Sequence, residues 1–442
     1  MRGPESTVCG WGRVGVAGRE VWSDDLVRLS ERAILFRGLG RSYGDASLPP
    51  PSAPEVACTV LGDRLIDFDE TTGRLRAEAG VSLASLVELF LPRGWFVPVT
   101  PGTRYVTLGG MVAADVHGKN HHVDGCVGAF VDALRLRTAG GRIVDCSRGE
   151  EAELFHATVG GMGLTGHILE LTLRLTRVPS PWIERESVRA SGIQALLETL
   201  ENSSADWPFT VAWADLLARG AQLGRGIVYR GRWAGADRAP QGTPAAPSAI
   251  DVPFEAPEWL LNRASIGLFN ALRYRRHGSG LRRAVESPYS FFYPLDRIGN
   301  WNRLYGARGL TQYQCVIPDS RGVEGVHQVL DCIARRRAPV FLCVIKNCGD
   351  EGSGLLSFPL RGMSLALDLP VGDGIQDLVD ALNELVVDLG GRIYLAKDAF
   401  TRPEHFRAME PRLDRWLTVR RRWDPEVRLR SAQSVRLLGD PA

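Results

Sequence analysis

Two glycine-rich segments and a cluster of basic side chains are the residues whose types and spacing point most directly to chemistry. Residues 37–45 read RGLGRSYGD, and residues 99–122 read VTPGTRYVTLGGMVAADVHGKNHH. Glycine and other small residues let backbone N–H groups approach a flat or anionic ligand closely. The second segment then ends in three histidines and a lysine. Together the two segments predict a dinucleotide cofactor bound by the N-terminal half of the chain.

Two further lysines interrupt apolar, strand-like stretches nearer the C-terminus. Lys346 lies in FLCVIKN and Lys397 in RIYLAKD, and Gln312 and Gln314 interrupt a similar stretch. An ammonium in an apolar setting is costly unless it is paired or used. Two interpretations remain open: a lysine at a strand edge that reaches solvent, or a lysine in a functional site.

The three histidines of the second segment could also form a metal site, but two features of the sequence disfavour one. Gly118 disfavours a helix that would bring His117 and His121 onto one face, and no carboxylate has catalytic spacing. We therefore expect no metal ion. Histidines satisfied by the backbone and a histidine with a lysine beside a cofactor both remain open.

Two familiar catalytic patterns are also disfavoured. Residues 161–166 match G-x-G-x-x-G, but a nucleotide-binding turn of that kind needs a helix after it, and the alternating run HILELTLRLTRV follows here. The glycines of residues 37–45 miss the same spacing by one residue. Residues 40–44 (GRSYG) match G-x-S-x-G, but no helix is predicted directly after them, which disfavours a Ser/His/Asp hydrolase.

The bulk numbers describe an ordinary globular protein. The chain has 442 residues, 44% of them hydrophobic and 24% charged, with a net charge of +2, so we expect two domains and no nucleic-acid partner. Its eight scattered cysteines lack C-x-x-C spacing, which is typical of reduced thiols. Without an apolar signal core or an 18-residue apolar run, we expect a cytoplasmic protein with no transmembrane helix.

Hydrophobic periodicity predicts the elements that must position these residues. We expect a buried strand at residues 31–36, strands around a turn at 64–80 and a helix at 81–91. A hairpin is expected at 131–144 and a half-buried strand at 167–178.

Pro179 and Pro181 mark a domain boundary. Beyond it, residues 234–258 are rich in Pro, Ala and Gly and predict a mobile surface loop. Residues 259–276 predict a basic amphipathic helix, whose apolar face either packs on the second domain or contacts a membrane surface or lipid tail.

Read together, the motifs identify a family. The chain resembles the vanillyl-alcohol-oxidase type of flavin oxidoreductases, and within them the oxidase subunits of decaprenylphosphoryl-β-D-ribose 2-epimerases. The resemblance covers nearly the whole chain. It is carried by GWGR at 10–13, RGLGRSYGD at 37–45, PGTRYVTLGG at 101–110, HGKNHH at 117–122, PLD at 294–296, WNR at 301–303, QYQ at 312–314, LSFP at 356–359, YLAKD at 394–398 and DRWLTVRR at 414–421.

The resemblance implies a two-domain α+β fold. A PCMH-type FAD-binding domain would comprise residues 1–180 and 392–442, and a substrate domain built on an antiparallel sheet would comprise residues 181–391. Family contacts to FAD carry over to Arg37, Gly38, Leu39, Gly40, Arg41, Ser42, Tyr43, Gly102, Thr107, Leu108, Gly109, Gly110, Ala114, Asp115, His117, Ile168 and Tyr394. Many relatives bind the flavin through a histidine in the first glycine loop. Arg41 occupies that position here, so we expect non-covalent FAD.

The implied reaction is oxidation of a secondary hydroxyl, the 2′-OH of a ribofuranosyl substrate, to a keto sugar. A separate NAD(P)H-dependent reductase would then complete an epimerisation. Lys397 is the first candidate for the catalytic group, either as a cation beside the flavin or as a base, with Tyr43 and His117 beside it. The expected substrate-binding residues are Lys119, Trp213, Phe292, Gln312, Gln314, Lys346, Ser364 and Ala366.

Two of these positions depart from the epimerase subunits, where a Gly-Trp-Asn-x-Cys segment lines the pocket. Ser364 replaces the asparagine and Ala366 the cysteine that nitroaromatic inhibitors attack. The substrate is therefore left open among a polyprenyl-phosphate sugar, a nucleoside and an antibiotic intermediate. Two other functions also remain: an alditol or aldonolactone oxidase that uses O2, and a non-catalytic flavin-binding protein.

Overall fold

A computed structural model describes residues 7–442 of the chain. Strands run through most of its length, and several are only two or three residues long. They are β1 (Thr7–Cys9), β2 (Gly15–Ala17), β3 (Arg19–Trp22), β4 (Phe36–Arg37), β5 (Glu55–Cys58), β6 (Leu65–Asp69), β7 (Arg74–Glu78), β8 (Trp95–Phe96), β9 (Val131–Arg137), β10 (Ile143–Ser147), β11 (His167–Arg174), β12 (Thr176–Arg177), β13 (Ile183–Ala190), β14 (Phe209–Asp215), β15 (Arg225–Trp233), β16 (Ile250–Asp251), β17 (Arg282–Glu286), β18 (Ile298–Gly299), β19 (Leu310–Pro318), β20 (Cys343–Cys348), β21 (Gly362–Pro370) and β22 (Arg392–Ile393).

Helices pack around the sheets. They are α1 (Leu26–Ser30), α2 (Leu83–Phe90), α3 (Leu108–Ala113), α4 (His121–Asp124), α5 (Ala152–Thr158), α6 (Ile193–Asp206), α7 (Arg263–His277), α8 (Pro288–Phe292), α9 (Gly322–Arg335), α10 (Ile375–Asp388), α11 (Pro403–Met409), α12 (Leu413–Trp423) and α13 (Ala432–Leu438). Short 3-10 turns lie at Leu91–Arg93, Val127–Phe130, Gly220–Gln222, Pro294–Arg297, Trp301–Tyr305 and Asp319–Arg321.

The first part of the chain is built on a five-stranded antiparallel sheet in the order β10-β9-β11-β7-β6. Most of the predicted local elements are confirmed here. The strands around the turn at residues 64–80 are β6 and β7, the hairpin is β9 and β10, and β11 buries Leu169, Leu171 and Leu173 on one face. The side-chain period of two in a strand places these leucines on the core side.

Two predicted boundaries are wrong. Of residues 31–36, only Phe36 lies in a strand, because α1 ends at Ser30 and a turn follows it. The predicted helix at 259–276 begins at Arg263, because the side chain of Asn262 accepts hydrogen bonds from the first turn and caps the helix there.

The middle of the chain forms an eight-stranded sheet in the order β17-β13-β15-β14-β20-β21-β19-β22, and the pairings within it are antiparallel. This confirms the antiparallel sheet expected for the second domain. Residues 234–258 are irregular apart from β16, and their mobility stays a prediction.

The C-terminal tail returns to the first part of the chain. The indole of Trp416 on α12 donates to Ala157 O on α5 at 2.9 Å, and the guanidinium of Arg436 on α13 contacts Asp45 at 2.8 Å. The division into residues 1–180 with 392–442 and residues 181–391 stays a prediction that these contacts support. The strand β22 nevertheless pairs with β19, so the chain crosses between the two parts beside residues 392–398.

The cysteines form no disulfide within residues 7–442. Across the same residues, no helix is both long and apolar enough to cross a membrane.

Candidate active site

A cavity of about 960 Å³ lies between the N-terminal glycine segments and one face of the eight-stranded sheet. This volume is at the upper end of the range for small-molecule and cofactor sites. Nearly all the predicted site residues line it: Arg37, Gly38, Leu39, Gly40, Arg41, Ser42, Tyr43, Gly102, Thr107, Gly109, Gly110, Ala114, His117, Ile168 and Tyr394 on the cofactor side, and Lys119, Trp213, Phe292, Gln312, Gln314, Lys346, Ala366 and Lys397 on the substrate side.

Three predicted residues lie behind this lining. Leu108 is 1% exposed and points into the core from the first turn of α3. The carboxylate of Asp115 accepts from Gly128 N at 2.8 Å and from the Ser357 hydroxyl. Ser364 is buried and accepts from Gln314 Nε2 at 3.0 Å, so it contacts the lining without belonging to it.

The first glycine segment is folded tightly against the second. A Cβ on Gly38 would lie 2.3 Å from Thr107 Oγ1, and Gly40 has φ +62 beside the Arg37 guanidinium. Arg37 is itself held by Glu20 at 2.9 Å and by Ser47 Oγ at 3.0 Å. Thr107 caps α3 by accepting from Gly110 N. The glycines are therefore required by close approach, and they leave backbone rather than side chains facing the cavity.

Unlike Arg37, the second arginine of this cradle, Arg41, forms no ion pair among residues 7–442. Its guanidinium stacks on the Trp11 ring at 4.0 Å, and its Nε is buried with no hydrogen-bond partner among residues 7–442. Burial lowers the pKa of Arg41, while nearby Asp296 opposes the shift. A cavity of this size, a cradle of close-packed glycines and an orphaned guanidinium donor fit a large anionic cofactor such as FAD.

Lys397 lies where the two parts of the chain meet. Its Nζ is 4.1 Å from the centroid of the Tyr43 ring. Backbone contacts fix both residues, because Tyr43 N donates to Ala396 O at 3.0 Å and Lys397 N to Tyr394 O at 2.9 Å. Burial lowers the pKa of Lys397 to about 7, with Asp368 opposing that shift and Lys346 adding to it. The alternative of a strand-edge lysine is wrong for Lys397, because β22 ends at Ile393 and Lys397 lies in the turn after it, where it lines the cavity.

A buried ion cluster anchors the segment that carries Lys397. Arg436 of α13 contacts Asp45 and Asp398, each at 2.8 Å, so one guanidinium joins the first glycine segment to the residue next to Lys397. Gln433 also donates to Leu395 O at 2.8 Å. Nothing in the local sequence of the tail signals this arrangement.

His117 forms the link to the substrate side. Lys346 Nζ lies 3.3 Å from His117 Nδ1, and the Gln314 side-chain nitrogen lies 3.0 Å from His117 Nε2. Burial first, and then the charge of Lys346, hold the pKa of His117 well below its usual range. Burial lowers the pKa of Lys346 to about 8. The strand-edge alternative is wrong for Lys346 also, because β20 pairs with β14 on one side and with β21 on the other.

The other two histidines have backbone partners. His121 Nδ1 accepts from Gly349 N at 3.0 Å, and His122 Nε2 lies 3.0 Å from Trp207 O. The interpretation of histidines satisfied by the backbone is confirmed for His121 and His122. A position of His117 and a lysine beside a cofactor stays a prediction, which the contact of His117 with Lys346 supports. No group of three or more His, Cys, Asp or Glu side chains within residues 7–442 is arranged to hold a metal ion.

Aromatic side chains form the far wall of the substrate side. Lys119 Nζ contacts Phe291 O and lies 4.6 Å from the Phe291 ring centroid. Burial lowers the pKa of Lys119 to about 7. Trp213 lies under the Arg273 guanidinium at 4.5 Å.

Sequence reasoning missed Asp368, which lies behind Gln312 in the same sheet. Its carboxylate accepts from Gln312 Nε2 at 2.5 Å. The signal was present, because an acid interrupts the apolar strand GMSLALDLP just as the lysines interrupt theirs.

The helix α7 divides its apolar side chains between two environments. Ile266 is buried, and Asn270 donates to Asp215 on β14 at 2.9 Å. Leu268, Phe269 and Leu272 are exposed. Packing on the sheet therefore accounts for one face of the helix and leaves the other uncovered. Trp259 and Leu260, predicted to belong to it, lie in the irregular chain before it.

Comparison with known proteins gives consistent results. A family model for an FAD binding domain matches residues 25–147. The decaprenylphosphoryl-β-D-ribose oxidase of Mycolicibacterium smegmatis is 36% identical over 97% of this chain and 96% of its own length. An uncharacterized protein of Streptomyces coelicolor is 36% identical over 78% of this chain and 96% of its own length. An L-gulono-1,4-lactone dehydrogenase of Mycobacterium tuberculosis is 23% identical over 94% of this chain and 93% of its own length.

Proposed function

The chain belongs to the family of decaprenylphosphoryl-β-D-ribose oxidase, and from this premise we propose that it oxidises the 2′-hydroxyl of a ribofuranosyl substrate to a keto sugar. It is an FAD-dependent oxidoreductase acting on CH–OH groups. The observation that carries the proposal is the placement of Lys397 over Tyr43, at the junction of the cofactor cradle and the polar substrate wall. Bound FAD supplies the acceptor for the hydride that leaves the sugar carbon.

Lys397 takes the hydroxyl proton in this proposal. With its pKa lowered to about 7 by burial, a large share of the lysine is the free amine at neutral pH, which suits a general base. Burial raises the pKa of Tyr43 well above its usual range, so its phenol stays protonated as a hydrogen-bond donor. Gln312 and Gln314 hold the sugar, and His117 positions Gln314 and Lys346.

The lysines of the substrate wall favour an anionic substituent on the sugar. Lys119 and Lys346 both line the cavity, and neither forms an ion pair among residues 7–442. A phosphate bound to the sugar would supply the missing negative charge. This favours a ribosyl phosphate, such as a polyprenyl-phosphate sugar or a phosphorylated antibiotic intermediate, over an uncharged nucleoside.

The test is anaerobic bleaching of the flavin absorbance by a panel of ribosyl phosphates, nucleosides and polyols. We expect rapid bleaching by ribosyl phosphates and slow or no bleaching by polyols. Fast turnover of a simple alditol or aldonolactone with stoichiometric peroxide would instead favour the lactone-oxidase function, which the likeness to the lactone dehydrogenase motivates. Another informative outcome is a stoichiometric keto product that is reduced only when an NAD(P)H-dependent reductase is added. That result would support epimerisation with a separate reductase as partner.

FAD is held non-covalently in this proposal. Arg41 stands where related proteins carry the linking histidine, and a guanidinium does not form that bond. Acid precipitation of the purified protein should release the yellow chromophore into the supernatant. A chromophore retained in the pellet would contradict the assignment.

The exposed face of α7, together with Trp259 in the chain before it, is proposed as a peripheral membrane contact. Trp259, Leu268 and Leu272 are 72%, 63% and 58% exposed, beside a basic run that includes Arg275 and Arg276. Apolar residues flanked by arginines suit an anionic bilayer surface. In a variant that carries both Leu268→Ser and Leu272→Ser, the fraction of protein that co-sediments with anionic vesicles should fall. Equal binding by this variant and the wild type would contradict the contact.

A further inference from the structure

Asp368 is a buried acid to which the proposed reaction gives no role. It lies on β21, is 1% exposed and stands directly opposite Gln312 of β19. Its carboxylate accepts from Gln312 Nε2 at 2.5 Å and from the Tyr305 hydroxyl at 3.4 Å. Within the described residues it forms no ion pair. Burying a carboxylate in a sheet without a cation in direct contact costs free energy, so we ask what the Asp368 carboxylate does there.

The carboxylate decides which way the Gln312 amide faces. An ionised carboxylate only accepts hydrogen bonds, so Gln312 must turn its nitrogen toward Asp368. The same nitrogen also lies 3.4 Å from the Tyr43 hydroxyl. The two amide hydrogens therefore already have acceptors, the Asp368 carboxylate and the Tyr43 hydroxyl. Gln312 lines the cavity, and its carbonyl oxygen is the atom left to meet a ligand.

The same carboxylate lies behind the pair formed by Tyr43 and Lys397. It favours the protonated form of Lys397, whereas Lys346 disfavours it. The other ionisable groups facing Asp368 are Tyr43, Tyr305 and Cys343. Burial raises the pKa of Asp368 to about 6, so the group is largely ionised at neutral pH.

We propose that Asp368 is a positioning residue, whose carboxylate fixes Gln312 with its carbonyl oxygen toward the cavity and thereby selects a substrate that donates a hydroxyl to that oxygen. The inference rests on the proposed function only in taking that hydroxyl to belong to a sugar. It adds a specificity rule: an analogue lacking the hydroxyl leaves a buried acceptor unpaired and is bound more weakly.

The first test is Asp368→Asn in the FAD-loaded protein. An asparagine can donate to the Gln312 carbonyl, so the Gln312 amide can turn and present N–H groups to the cavity. We expect KM for the ribosyl substrate to rise about 10- to 100-fold with a smaller change in kcat, while flavin content stays at the wild-type value. Asp368→Glu, which keeps the carboxylate, should recover part of the loss.

A double-mutant cycle separates positioning from general damage. If Asp368 acts through Gln312, the KM effect of Asp368→Asn should disappear in a Gln312→Ala background. An equal KM effect in both backgrounds would overturn the proposal, as would an unchanged KM in Asp368→Asn.

The wild-type protein provides a test that needs no folded variant at position 368. As pH falls through about 6, protonation of Asp368 releases the constraint on Gln312, and KM should rise. Gln312→Ala should lack that rise. A rise of the same size in Gln312→Ala would contradict the assignment.

The protonation of Lys397 provides a measurement that does not depend on turnover. Competitive labelling with acetic anhydride across pH, read by peptide mass spectrometry, reports when each lysine loses its proton. In Asp368→Asn the labelling midpoint of Lys397 should fall by about one pH unit, because a nearby negative charge is lost. Lys346 is the internal control and should not move. If no ribosyl compound reduces the flavin of the wild type, the proposed function fails, whereas an unmoved Lys397 midpoint counts against Asp368 alone.

Discussion

The two walls of the cavity are made in different ways. The cofactor wall is largely backbone, supplied by two glycine segments that are each continuous in sequence. The substrate wall consists of charged and polar side chains on strands far apart in sequence, with Gln312 and Lys346 brought together through β21. The cofactor wall thus depends on close approach, and the substrate wall on electrostatics inside a sheet.

The electrostatic contrast follows from this construction. Lys119, Lys346 and Lys397 all have pKa values lowered by burial, and all belong to the substrate side. On the cofactor side, Arg37 is paired with Glu20, and Arg41 is the guanidinium with an orphaned donor. A fixed backbone cradle suits a resident group, while a set of ionisable side chains suits a ligand that arrives, reacts and leaves.

The largest effect is expected from breaking the backbone cradle. In Gly38→Val the new Cβ would lie 2.3 Å from Thr107 Oγ1, which forces the two glycine segments apart. We expect complete loss of bound flavin and of activity, measured as the ratio of flavin absorbance to protein. Gly140→Ala is the matched control, since its Cβ would meet nothing within 4 Å, and it should keep its flavin. A flavin-replete Gly38→Val would mean that close approach is not what the cradle requires.

Removing the ammonium of Lys397 from the substrate wall should leave the glycine cradle intact. Lys397→Met keeps the length and apolar bulk of the side chain but has no group to accept a proton. We expect flavin to remain bound and its reduction by substrate to slow about 10³-fold, measured by anaerobic stopped-flow absorbance. Lys346→Met is the control and should mainly raise KM. Reduction at the wild-type rate in Lys397→Met would remove the residue from the mechanism.

The ion cluster that joins the two walls should matter for stability more than for chemistry. Arg436→Gln leaves the Asp45 and Asp398 carboxylates buried without their cation, which should cost about 3 kcal/mol. The expected result is a lower melting temperature of the flavin-loaded protein, measured by calorimetry. Arg407→Gln, in an exposed ion pair with Asp414, should change it little. Equal melting of the two variants would show that the tail is not a clamp.

The smallest predicted effect is a shift in pH dependence. If Lys397 is the base, flavin reduction should rise with pH through about 7, because the free amine exists above its pKa. Lys346→Met removes a like charge that lowers this pKa, so the midpoint should move to higher pH by about one unit or less. A midpoint that moves to lower pH would reverse the assigned sign of the interaction.

Much of the cofactor wall could be predicted from the sequence. The glycine segments, the hairpin of β9 and β10 and the alternating strand β11 depend on short-range features: conformations open to glycine, turn residues and a period of two. The rejected G-x-G-x-x-G at residues 161–166 is indeed followed by a strand, which confirms the local argument. Leu108 and Asp115 show its limit, since a residue inside a binding motif can still face the core.

The substrate wall was found as a set of unusual residues but not as an arrangement. An isolated lysine in an apolar strand signals a function without saying what it faces. The pairing of His117 with Lys346, the alignment of Asp368 with Gln312 and the reach of Arg436 to Asp45 each join residues at least 50 positions apart. The sequence by itself determined the glycine loops and the chemical identity of the groups that we propose to react. Only the tertiary structure decided which charges meet, because strand register and the returning tail set those distances and no local pattern encodes them.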